Sequence, residues 1–166
     1  MPTATIVELW CVKPATGTDF GHLTPHIQGL LSGFEKIFID ETGQAVIATV
    51  RAIPGLVQAL DEVRADPDSV YLTVNSASGL DNSVWPGNGE TVDMNTGQVA
   101  HPSIAIPFDF SMSLTLMEKD SGILNSDDPL GTIRIDGDDT DRGHVAQVAS
   151  SNIEGSFYYV TYRVAA

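Results

Sequence analysis

The sequence is poor in positive charge. Its 166 residues carry 8 Lys and Arg against 22 Asp and Glu, a net charge of −14. Phosphate backbones are held by clustered Lys and Arg, so nucleic acid is excluded as a direct partner. An anionic membrane would need a cation as a bridge. The chain has one cysteine, Cys11, so no internal disulfide forms. Cys11 lies in the apolar run "TIVELWCV", where a small buried core residue is expected and nothing basic activates a thiol. No apolar run reaches the roughly 18 residues of a spanning helix. The start, "MPTATIVELW", has no basic region followed by an apolar run. No signal peptide is visible, and the expected location is cytoplasmic or reached by leaderless export. The motifs of serine hydrolases, common nucleotide binders and zinc proteases are missing. His22 and His26 are four apart, but Pro25 stands between them and no cysteine is near.

What is present is a globular composition, 42% hydrophobic and 18% charged, in one domain spanning residues 1–166. Ala4 to Val12 predicts a first strand. "FEKIFIDETGQAVIATV" predicts a hairpin of Phe34 to Ile39 and Ala45 to Val50. One short helix is expected near 54–64, opened by Pro54 and carrying Leu56, Val57, Leu60 and Val63 at helical spacing. Further strands are expected at Val70 to Val74, near Thr91 to Met94, at Ile104 to Phe108, at His144 to Val148 and at Phe157 to Val164. Short strands with turn signals between them predict an all-β protein, an antiparallel β-sandwich of about eight strands. Trp85, in a long Gly-, Asn- and Ser-rich connection, either pins that loop to the core or offers a face to a sugar.

The most informative stretch is Leu114 to Ile135, "LTLMEKDSGILNSDDPLGTIRI". Leu114 and Leu116, then Ile133 and Ile135, recur at period two, as in half-buried strands. Between them stand Glu118, Asp120, Asp127 and Asp128. Four carboxylates in one loop repel each other, so the loop is either well solvated or held by a hard cation. Calcium suits it, because it takes six to eight oxygens and tolerates irregular geometry. Residues two apart in a strand share a face, so Glu118 and Asp120 can converge. The remaining oxygens need a second loop, and "RADPDSVYL" supplies Asp66 and Asp68. The candidate metal ligands are therefore Asp66, Asp68, Glu118, Asp120, Asp127 and Asp128. A second acidic turn, "DGDDTDRG", holds Asp136, Asp138, Asp139 and Asp141. It is not an EF-hand, because the twelfth position from Asp136 is Gln147 rather than Glu. It is expected to be a solvated turn at the opposite end of the strand leaving the first loop.

The stretch "LMEKDSGILNSDDPLGTIRI" resembles the third calcium loop of C-two-type domains, the calcium- and phospholipid-binding sandwiches. Their pattern of apolar strand, Asp-x-Asp, further Asp, apolar residue, Gly and strand is matched by Glu118-Lys119-Asp120, Asp127-Asp128, Leu130, Gly131 and Thr132 to Ile135. "ADPDSVYLTV" resembles their first loop and "YYVTYRV" their last strand. The resemblance covers residues 66–164, with 1–65 as an elaboration. It implies a calcium-binding fold more strongly than a lipid-binding one, since no basic strand patch is present.

The function expected from these features is a non-enzymatic calcium-binding module that docks on a protein or membrane surface. The alternatives are a calcium-dependent carbohydrate-binding domain, with Trp85 and the ion holding a sugar, and a metal-free subunit of a larger assembly.

Overall fold

The computed structural model describes residues 1–15, 36–39, 66–120, 126–151 and 153–166. The expected helix near 54–64, the strand Ala45 to Val50 and the His22–His26 pair lie outside them. The described residues form ten strands in two antiparallel sheets, as the period-two patterns predict. Sheet A takes β1 (Thr3–Lys13), β2 (Lys36–Ile39), β5 (Val99–Ala100), β6 (Ile104–Pro107), β9 (His144–Ser151) and β10 (Ser156–Ala165). Its order is β2-β9-β10-β1-β5, and β6 also pairs with β1. Sheet B is β4-β3-β7-β8, built from β3 (Asp68–Val74), β4 (Val92–Met94), β7 (Ser111–Glu118) and β8 (Asp128–Asp136).

Between the sheets lies one core. Sheet A contributes Ile6, Leu9, Tyr158, Val160 and Tyr162, and sheet B contributes Val70, Leu72, Leu114, Leu116, Ile133 and Ile135. The alternate residues of β10 and β1 are buried too: Phe157, Tyr159 and Thr161 with Trp10 and Val12. Trp10 stacks on Tyr159 with ring centroids 5.7 Å apart. Sheet A is therefore buried on both faces at its centre. This is why β10 reads "FYYVTYRV", a continuous apolar run, where a strand with one wet face would alternate. Trp85 is half-buried against the core. Its carbonyl accepts from the Leu72 N–H at 2.8 Å, so the long connection is pinned to β3.

The two sheets close on each other where β8 meets β9. Gly131 makes this approach possible. A Cβ there would stand 2.4 Å from the Ala149 carbonyl carbon and the Ser150 nitrogen, and its φ is +154°. The adjacent register shift between Leu116 and Met117 turns the Leu130 carbonyl to accept from Ser156 Oγ at 2.6 Å. Gly131→Ala meets backbone on both counts, and overpacking with a strained φ costs about 3 kcal/mol. A fall of that size in unfolding free energy, measured by denaturant titration, is expected. An unchanged midpoint would contradict this account of the sheet closure.

Candidate functional site

Strand parity brings the acidic loops to one end of the sandwich. On β3, Asp68 shares a face with Val70 and Leu72. On β7, Glu118 shares one with Leu114 and Leu116. Both carboxylates thus continue core-facing rows to the rim. Asp68 is 1% exposed. Its two oxygens accept from the Ala15 N–H at 2.9 and 3.0 Å, and Oδ2 also accepts from the Tyr158 hydroxyl of the opposite sheet. Beside it lies the buried Lys13, whose Nζ donates to the Gly155 carbonyl at 2.6 Å. Burial holds the Lys13 ammonium down at about 8, against the pull of Asp68. Burial likewise pushes Asp68 up to about 6, against its hydrogen bonds to Tyr158 and Ala15. Cys11 sits in the same core, its thiol pushed up to about 12 chiefly by burial, and is inert as expected.

Above this buried pair the rim is acidic. Glu118 pairs directly with Asp128 across β7 and β8, an unfavourable placement of like charges. Burial, then the charges of Asp68, Asp120, Glu154 and Asp128, raise Glu118 to about 7. Asp128 is raised by burial, Asp120 and Asp127, and Glu154 by burial, Asp128 and Asp120. Asp68, Asp120, Asp128 and Glu154 thus all act on Glu118.

Asp127 behaves differently. Burial pushes it up, but the Tyr71 hydroxyl at 2.5 Å, Lys119 Nζ at 3.3 Å and the Asp120 N–H at 3.3 Å hold it below its ordinary range. Asp66 is exposed in the segment before β3. Among the described residues, no group of three or more Asp, Glu, His or Cys side chains is already arranged to hold a metal ion. Also among them, no helix is long and apolar enough to cross a membrane.

Glu154 is the residue that sequence reasoning missed. It is a lone acid in the turn Ile153 to Gly155 before β10, far along the chain from the acidic loop. The signal for it is topological: the β9–β10 hairpin turns at the end of the sandwich where β3 begins and β7 ends.

The second acidic turn lies at the other end of β8. Eight residue steps of about 3.3 Å put it roughly 26 Å from Asp128. It is not simply solvated. Asp136 and Asp139 form a capping box around the short 3-10 turn Gly137–Asp139. Asp139 is buried and accepts from the Tyr162 hydroxyl at 2.7 Å, and Gln147 Nε2 bonds that hydroxyl at 2.5 Å and the Arg134 carbonyl at 2.7 Å.

Neither protein-family models nor curated proteins gave a match to this sequence.

Two predictions follow from the geometry. Tyr158→Phe removes the inter-sheet donor to a buried carboxylate and costs about 1–3 kcal/mol, read as a lower denaturation midpoint; an unaltered midpoint would show that Asp68 does not need it. The second concerns pH. A carboxyl raised in the folded state stabilises it fully below the unfolded value near 4, and that contribution is lost as pH rises through the folded value. Asp68 and Glu118 place the loss between about 4 and 7. Melting temperature in a chelator should therefore fall from pH 5 to pH 7.5. A rise over that interval would contradict the raised values. Asp127, held low, acts with the opposite sign only below about 4.

Proposed function

We propose that the acidic end of the sandwich binds calcium and that the protein is a non-enzymatic calcium-dependent docking module. The observation that carries this reading is the pairing of Glu118 with Asp128 across β7 and β8 at the end of the sandwich where Asp68 is buried, with the charges of Asp120 and Glu154 also acting on Glu118. These acids come from separate stretches of chain: the start of β3, the end of β7, the start of β8 and the β9–β10 turn. The donors are all hard oxygens, which favour calcium or magnesium over zinc or copper. Lys13 lies below the cluster with its Nζ on Gly155, and Lys119 is committed to Asp127.

Glu118, Asp120, Asp128 and Glu154 would supply the ion's ligands. Asp68 would act from beneath as fixed negative charge, its oxygens already accepting from Ala15 and Tyr158. The carboxylates must move inward to close on the ion, which their mutual repulsion opposes until the charge arrives. Once bound, calcium would offset two of the negative charges at this rim, lessening its repulsion of an acidic protein or membrane surface, and the ion's remaining coordination positions could take an oxygen of that surface. The resemblance to C-two-type loops supports the same assignment. Trp85 packs on the core, so it lends no weight to a sugar held jointly with the ion.

Thermal unfolding with calcium, with magnesium and with a chelator tests this. At calcium a hundredfold above Kd the gain is about 2.7 kcal/mol, or about 5–10 °C for a domain of this size. The shift should exceed that with magnesium and shrink in Asp128→Asn and in Glu154→Gln. Asp138→Asn, exposed at the far end, should leave it intact. No calcium response at millimolar ion would sink the proposal.

A further inference from the structure

Asp127 stands among the rim acids in the chain, but its carboxylate is turned another way. Glu118 pairs with Asp128 across the ladder, and Glu118 shares the core-facing side of sheet B with Leu114 and Leu116. Asp127 is one residue before Asp128, so alternation sends it to the opposite side. Tyr71 is on that side too. It sits between Val70 and Leu72, which face the core, and it pairs with Met117. The Tyr71 hydroxyl donates to Asp127 Oδ2 at 2.5 Å.

The other oxygen, Oδ1, accepts from the Asp120 N–H and from Lys119 Nζ, both at 3.3 Å. One carboxylate thus takes three donors, and the Asp127 side chain is 9% exposed. These bonds span the loop. Lys119 and Asp120 follow β7, and Asp127 leads into β8. The Lys119 N–H also donates to the Ser69 carbonyl at 2.9 Å, which carries the β3–β7 ladder one step beyond Glu118. Tyr71 is itself fixed: it is fully buried, and the Gly79 N–H bonds its hydroxyl. The base of the loop is closed by side chain and backbone together, on a post rooted in β3.

We infer that Asp127 is a positioning residue for the calcium site proposed above, on which this role rests, and not one of its ligands. Held by Tyr71, it clasps the Asp120 N–H and fixes the backbone of Asp120 against the residue preceding Asp128. An outer group of this kind orients a ligand without touching the ion. A ligand role for Asp127 would require the ion to draw it away from three donors at once. As a clasp it holds two of the four ligand-bearing segments together before the ion arrives, which lowers the ordering cost of binding.

Calorimetric titration of the full chain with calcium, comparing wild type with Tyr71→Phe, separates the roles, because the substitution leaves every carboxylate in place. With Asp127 as a clasp, loss of its anchor lowers calcium affinity about tenfold, the low end of what an outer partner of a metal site costs. Were Asp127 a ligand, removing a competing donor would free its oxygen and tighten binding. A purely structural contact would lower the melting temperature in a chelator and leave the affinity as it was. Hydrogen exchange of the Asp120 amide, followed by NMR in a chelator, reads the clasp without any ion. It should be slow in the wild type and faster in Tyr71→Phe and in Asp127→Ala. The inference is overturned if Tyr71→Phe binds calcium as tightly as the wild type or more so, or if the Asp120 amide of Asp127→Ala exchanges at the wild-type rate. A wild type that binds no calcium overturns the calcium reading and this role together. Calcium binding that Tyr71→Phe leaves untouched overturns the clasp alone.

Discussion

The buried Asp68 carboxylate is the constraint around which this end of the sandwich is organised. An ionised carboxylate removed from water costs several kcal/mol unless hydrogen bonds and charge offset it. Here Ala15 N–H, Tyr158 O–H and the nearby Lys13 do so. Each comes from sheet A or, for Ala15, from two residues beyond β1, while Asp68 opens β3 of sheet B. One side chain therefore ties the two sheets together where no hydrogen-bond ladder can. Lys13 extends the tie to the β9–β10 turn through the Gly155 carbonyl, fixing the height of Glu154 next to it. The acidic rim rests on a rigid, hydrogen-bonded floor.

The two ends of the molecule treat their carboxylates in opposite ways. At the far end, Asp139 is buried but answered by Tyr162, and the turn is closed by its own capping box. Arg134 faces Asp136. At the near end, Glu118 faces Asp128 across the ladder, and both are pushed upward by burial and by other acids. Acids that fold for stability are arranged as at the far end. A rim that retains repulsion in the folded state gives up stability, which under the proposed function a bound cation would restore.

Much of this was legible in the sequence. The period-two rows of Leu114, Leu116, Ile133 and Ile135 located β7 and β8 and the loop between them, and Val70 to Val74 located β3. The two-residue β5 has no periodicity to detect. Asp68 shows where sequence reasoning stops: an acid before a strand is equally a surface ligand or a buried latch, and only the Tyr158 partner across the sheets tells them apart. Asp139 looked like part of a solvated turn because nothing local announces that Tyr162, 23 residues later, reaches it. Glu154 escaped notice because a single acid in a turn carries no pattern of its own.

The most direct measurement of the central claim is the anomalous diffraction of a crystal grown with calcium. The account predicts a peak at the acidic end, with oxygens of Glu118, Asp120, Asp128 and Glu154 drawn to about 2.3–2.6 Å of it, and Asp68 still bonded to Tyr158. A rim with no peak, its carboxylates apart at millimolar calcium, would contradict the account and leave the acidic end as a charged surface with no ion to hold.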